Sequence, residues 1–112
     1  MDKSINRLLA EIAIIGVGQH KYDKAELIAS YLTDEENYTE IVVMIRVLSF
    51  MNRTHYKAAL SLLEHYAETY EDLICFAIVC SDNLSLSEQK DYWIQRAAKS
   101  SSEPVRRYAA MF

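Results

Sequence analysis

The sequence predicts an all-α protein, and three observations carry that prediction. Breakers are scarce: 112 residues hold two Gly and one Pro, too little turn chemistry for a many-stranded sheet, and long uninterrupted stretches suit helices. Apolar residues recur at helical spacing through most of the chain. A motif also repeats, because Tyr22-x-x-Ala25 returns as Tyr56-x-x-Ala59 after 34 residues. With 51% hydrophobic and 25% charged residues, the composition is that of an ordinary globular domain. At this length one core is expected, over residues 1–112.

The same offset relates Ile28 to Leu62, Val17 to Met51 and Ala13 to Val47. Thirty-four residues is the length of the tetratricopeptide (TPR) repeat, a helix-turn-helix unit. Such a unit carries an aromatic just after its turn and a small residue three positions on, where its helices touch. The expected architecture is a TPR-like right-handed array of three helical hairpins, at about 4–32, 38–67 and 69–100. A capping helix at about 104–112 closes it, as repeat arrays require.

Taken in order, the first helix spans residues 4–17, with Ser4 as its cap and Gly18 as a left-handed stop. Ile5, Leu8, Leu9, Ile12 and Ile15 form its expected core stripe, while Ala10, Ile14 and Val17 gather on the far side. The second helix, residues 21–32, packs through Tyr22, Ala25, Ile28 and Ala29. Residues 33–38 are polar and acidic and read as a connection. The third unit's first helix covers residues 69–82, with Glu71 and Asp72 suited to its positive end. Its apolar run, residues 73–80, fits a buried strand equally well by period, and its place in the repeat selects helix. Ser85 with Glu88 fits a capping box for a helix running to about residue 99. Adding 34 to Tyr56 and Ala59 lands on Lys90 and Trp93, so the third unit departs from the pattern. Pro104 stands where the first turn of a helix tolerates it.

The middle hairpin carries surplus apolar surface. Stepping 100° per residue from Ile41, Val43, Val47 and Phe50 fall between about 180° and 240°, and Ile41, Met44, Leu48 and Met51 between about 280° and 0°. A helix facing one core needs a stripe of roughly 100°, and this one has about twice that. Either neighbouring helices cover both arcs, or the first is a packing arc and the second a groove that awaits a partner. In TPR arrays the first helix of each unit lines a concave surface. The expected groove is therefore Ala10, Ile14 and Val17 from unit one, Ile41, Met44, Leu48 and Met51 from unit two, and Cys75 and Ile78 from unit three. Methionines suit a surface that adapts to its ligand. The matching ligand is an amphipathic helix with anchors at i, i+3, i+4 and i+7.

Several function classes lack support. The formal net charge is -4 with no basic tract, so no nucleic-acid footprint is present. No segment reaches the 18 apolar residues of a membrane span. Lys3 and Arg7 precede an apolar stretch, but Glu11 interrupts it and no small-x-small cleavage site follows, so a mature helix is expected rather than a signal peptide. Cys75 and Cys80 lie five apart, about 140° around a helix, and read as free thiols of a reducing, cytoplasmic compartment. Gly16-Val17-Gly18 lacks the third glycine and the preceding strand of a dinucleotide loop. His20, His55 and His65 lack converging ligands, so no metal or other cofactor is expected. No nucleophile motif surrounds any serine, so no enzyme is expected. Tyr31, Tyr66, Tyr70 and Tyr92 read as packing residues.

Leu8-Leu9-Ala10-Glu11-Ile12-Ala13-Ile14-Ile15-Gly16-Val17-Gly18-Gln19-His20 resembles the opening of the YscG/PscG chaperones of bacterial type III secretion. Met51-Asn52-Arg53, with Tyr56 and Ala59-Leu60, resembles their second hairpin turn. The resemblance implies a TPR-like chaperone of the cytosol that keeps the needle subunit (YscF/PscF-like) monomeric before export. It further implies that the needle subunit's C-terminal amphipathic helix lies in the concave groove, and that a small helical co-chaperone (YscE/PscE-like) completes a heterotrimer. A general TPR-like adaptor with no export role is the alternative.

Overall fold

A computed structural model describes residues 3–112. Among them are seven α-helices, one 3-10 turn and no strand, as the scarcity of breakers requires: α1 (Lys3–Gly18), α2 (Tyr22–Leu32), α3 (Thr39–Asn52), α4 (Tyr56–Tyr66), the 3-10 turn Glu71–Leu73, α5 (Ile74–Asn83), α6 (Ser87–Ala98) and α7 (Glu103–Ala109). The run at residues 73–80 is helical, so repeat position was the right arbiter there. The chain divides into two compact units, Met1–Thr54 with α1 to α3 and His55–Phe112 with α4 to α7. The division falls in the turn of the expected middle hairpin.

In the first unit α1 packs on α2 and α3, and α2 packs on α3. The core is built from small residues, Ala10, Ala13, Ala25 and Ala29, filled in by Val17, Leu32, Val42 and Ile45. Alanine at a crossing lets helix axes approach to the short end of the usual 8–10 Å. The second helix packs as its sequence indicated, through Ala25 and Ala29 with Tyr22 and Ile28 at the edge. The first helix does not. Its inward face is Asn6, Ala10, Ala13 and Val17; of the expected core stripe, Ile5, Leu8, Ile12 and Ile15 are exposed and Leu9 is half-buried. The stripe was assigned by bulk, whereas two neighbouring helices selected the face that let them come close. Asn6 goes inward because Tyr31 donates its hydroxyl to Asn6 Oδ1 at 3.3 Å, giving the buried amide a partner.

Turn geometry also differs from the expectation. Gly18 ends α1 in ordinary helical conformation, and the left-handed residue is His20, φ 62°. Thr54 holds the equivalent place 34 residues on, with φ 61°. In the third hairpin the left-handed residue is Ser85, φ 57°, so the repeat there is 31 residues long rather than 34. The consensus positions sought at Lys90 and Trp93 were therefore read out of register. Ser85 in that conformation leads into Leu86 at the cap position, and α6 has no side-chain cap. The capping box with Glu88 does not form. Ser4 likewise lies inside α1, which begins at Lys3.

In the second unit α5 is the shared neighbour of α4, α6 and α7, and α6 also packs on α7. Leu63, Leu73, Ile74, Ala77, Ile78, Cys80 and Ala97 are fully buried there. Glu71 fastens the α6–α7 loop: its Oε2 accepts from Ser100 Oγ at 2.6 Å, Ser101 Oγ at 2.9 Å and the Ser101 amide at 3.1 Å. Those donors hold its carboxyl below the ordinary 4.5. Pro104 sits in the first turn of α7 as expected.

Candidate functional site

Two apolar stripes in the first unit share one spacing. On α1, Ile5, Leu8, Ile12 and Ile15 step by 3, 4 and 3 residues, and between 45% and 59% of each is exposed. On α3, Ile41, Met44, Leu48 and Met51 step the same way and each is half-buried. That spacing is the a/d seam by which one helix receives another. Contiguous exposed apolar patches are rare on monomers and mark binding faces. On α1 the stripe is flanked by Arg7 and Glu11, an exposed ion pair of 3.4 Å that keeps the rim soluble. On α2, Leu27 and Tyr31 are one turn apart and exposed.

The nine residues expected to line a groove are not equally placed. Ala10 and Val17 are buried in the first unit's core, and Ile14, Ile41 and Leu48 pack partly against that core. Met44 and Met51 are half-buried. In the second unit Cys75 is half-buried and Ile78 fully buried. Ala10, Val17 and Ile78 therefore have no open surface to offer, which corrects the expectation at those three positions. Sequence reasoning missed that α1's exposed stripe is the bulky one. The signal was present in the alternation of large residues with the small face Ala10, Ala13, Val17.

The polar clusters of this unit are occupied with holding it together. Arg46 bonds both oxygens of Glu26, at 2.9 and 3.2 Å. Arg53 bonds Ser49 O and Oγ, each at 3.1 Å, and lies 4.9 Å from the Tyr22 ring centroid and 5.4 Å from that of Phe50. These residues line a cleft of about 360 Å³ in which both guanidiniums are already satisfied. Asn52 Nδ2 donates to Val17 O at 2.9 Å and to the Tyr22 hydroxyl at 2.8 Å, tying the end of α3 to the α1–α2 turn. His20 Nδ1 lies 2.7 Å from the same hydroxyl. The repeat tyrosine is thus a junction between helices.

Among the described residues no group of three or more His, Cys, Asp or Glu could hold a metal ion, and no helix is long and apolar enough to cross a membrane. Both thiols are free. Burial pushes the Cys80 thiol up to about 11 and raises that of Cys75, so neither is poised as a nucleophile. What the first unit offers is apolar surface at helix-receiving spacing.

Comparison with known proteins identifies the family. A family model described as bacterial type III secretion system chaperone protein matches residues 1–111. The chain is 33% identical over 108 residues to the type 3 secretion system chaperone YscG of Yersinia enterocolitica, covering 96% of this chain and 91% of that protein. It is 30% identical over 110 residues to the chaperone PscG of Pseudomonas aeruginosa, covering 98% and 93%. A solved chain from the heterotrimeric complex which regulates type III secretion needle formation superposes with a TM-score of 0.87 at 30% identity, over 98% of this chain and 95% of that one. An all-helical, TPR-like chain with this match along its length belongs to the YscG family of bacterial type III secretion chaperones.

Proposed function

We propose that this chain holds the needle subunit of a type III secretion system as a monomer in the cytosol, with a small helical co-chaperone as its second partner. The observation that carries the reading is the pair of stripes in the first unit, each spaced to receive a helix. Two helix-receiving faces suit a chain that takes two partners, as in the heterotrimeric complex its fold resembles. The half-buried arc of Ile41, Met44, Leu48 and Met51 is assigned to the needle subunit's C-terminal amphipathic helix, because flexible methionines accommodate a foreign apolar face. The exposed stripe of Ile5, Leu8, Ile12 and Ile15 is assigned to the co-chaperone. The mechanism is competition. A needle helix whose apolar face is buried here cannot bury it against another needle subunit, and polymerisation waits for release. Each large side chain that passes from exposed to buried contributes about 1.5–3 kcal/mol at most, and ordering the partner consumes part of it.

Co-expression with the two partner genes, followed by size-exclusion chromatography, tests the assignment. The unaltered chain is expected in a complex with one copy of each partner. Ile12→Asp should release the co-chaperone and Met44→Asp the needle subunit, with the helical circular-dichroism signal of each variant retained. Retention of both partners by both folded variants would sink the reading.

A further inference from the structure

The stripe on α1 has a spacing that reads the same from either end. Ile5, Leu8, Ile12 and Ile15 step by 3, 4 and 3 residues, and each is between 45% and 59% exposed. At 100° per residue the stripe is centred about 150° around the helix from the buried face, and its exposure shows that neither α2 nor α3 covers it.

A seam with that symmetry is complementary to itself. Turn a second copy of α1 end for end about a two-fold axis level with Ala10, and Ile5 meets Ile15 of the copy while Leu8 meets Ile12, each pair twice. The result is four a-to-d layers of an antiparallel helix pair. A contact of this isologous kind closes at two copies.

Charge selects the same orientation. Arg7 and Glu11 flank the seam as an exposed pair 3.4 Å apart within one helix. In the two-fold arrangement Arg7 of each chain falls two residues, about 3 Å along the axis, from Glu11 of the other. Within its own chain the separation is four residues. A parallel pairing in register sets Arg7 beside Arg7 and Glu11 beside Glu11, and like charges across an interface are unfavourable.

We infer that the free chain pairs with a second copy of itself through α1, antiparallel and two-fold. Four layers are few beside the roughly 800 Å² per partner of a standard interface, so the pairing is weak and reversible. It keeps the stripe from water until a tighter partner displaces the copy. The co-chaperone proposed for this stripe is such a competitor, but the inference rests on α1's own geometry and concerns the chain alone.

Sedimentation equilibrium of the full chain without partners, from about 1 to 300 µM, tests it. The mass is expected to rise from 12.9 kDa towards twice that value and to level off there. Ile12→Asp should stay monomeric over the whole range with its helical circular-dichroism signal retained. Arg7→Glu should weaken pairing at least fivefold, and Arg7→Glu/Glu11→Arg, which restores opposite charges across the axis, should return to within about twofold of the parent. Monomer at every concentration, growth past two copies, an Ile12→Asp variant that pairs like the parent, or a charge-swapped double variant no tighter than Arg7→Glu would each overturn the inference. None of these outcomes bears on the co-chaperone assignment, which co-expression tests separately.

Discussion

α1 and α3 share a spacing and differ in what covers it. Ile5, Leu8, Ile12 and Ile15 stand open on α1, whereas Ile41 and Leu48 of the equivalent stripe on α3 lie partly against the first unit's core. The difference comes from the other side of each helix. α1 turns Asn6, Ala10, Ala13 and Val17 inward, a narrow face that admits two helices at close range. α3 meets that face with the broader Val42 and Ile45. When a helix has two apolar faces, the one with the smaller side chains wins the contact with neighbouring helices, because backbones can then approach. The bulkier face is left exposed, and the proposed function gives it to a partner.

The largest expected effect falls on the narrow face. Ala13 is buried to 1% where α1 meets its neighbours, and Ala13→Leu adds three heavy atoms to a site with no room for them. Overpacking of this kind costs about 1–3 kcal/mol. Thermal unfolding followed at 222 nm should show a clear fall in Tm. A variant as stable as the parent would mean that the helices of the first unit are not held at close range, and the distinction between the two faces of α1 would collapse.

How much of this could be read beforehand follows the same division. Helix existence, the 34-residue relation of the first two turns and the packing face of α2 were all legible, because Tyr22, Ala25 and Ala29 combine period with size. The third hairpin was legible as helix but not in register. Its repeat is three residues shorter, and the turn residue that fixes it, Ser85, carries no glycine or asparagine to announce a positive φ. Ser85 read as a cap for the same reason, since serine suits both roles. The face of α1 was misread because hydrophobicity ranks leucine above alanine, while the packing of two helices ranks them the other way. Of the proposed groove, the α3 arc was visible as a half-buried stripe; Ala10, Val17 and Ile78 looked open only because periodicity does not count neighbours. The family resemblance was carried by the stretch from Leu8 to His20 and by the second turn, Met51-Asn52-Arg53 with Tyr56 and Ala59-Leu60, and it did not depend on assigning either face.

A smaller effect sharpens the inward face from its polar side. Tyr31→Phe removes the donor to Asn6 Oδ1, leaving an amide that is 4% exposed without that bond. An unsatisfied buried acceptor of this kind costs about 1–3 kcal/mol, toward the lower end where water can reach it. Urea denaturation should give a lower midpoint with an unchanged slope. The double variant Asn6→Ala/Tyr31→Phe should lose less than the sum of the two single changes, since the bond is removed once. Strict additivity would mean that the hydroxyl does not secure Asn6, and that the amide is turned inward for another reason.

The smallest expected effect on stability is at Ile12, one residue from Ala13 and about 100° around the helix from it. Its side chain is 56% exposed, so Ile12→Ser should change unfolding free energy by no more than about 0.5 kcal/mol, the range of ordinary surface substitutions. Its effect on association should be much larger, because a centre position of a seam loses most of the burial that isoleucine supplied. The two measurements must therefore separate: a Tm near that of the parent, and weakened capture of the helical co-chaperone in co-expression. Destabilisation as large as that of Ala13→Leu would show that the bulky stripe is core after all. An unchanged Tm with unchanged capture would leave α1 exposing four large apolar side chains with no partner to cover them. Only the split outcome is consistent with a helix whose small face builds the first unit and whose large face receives another chain.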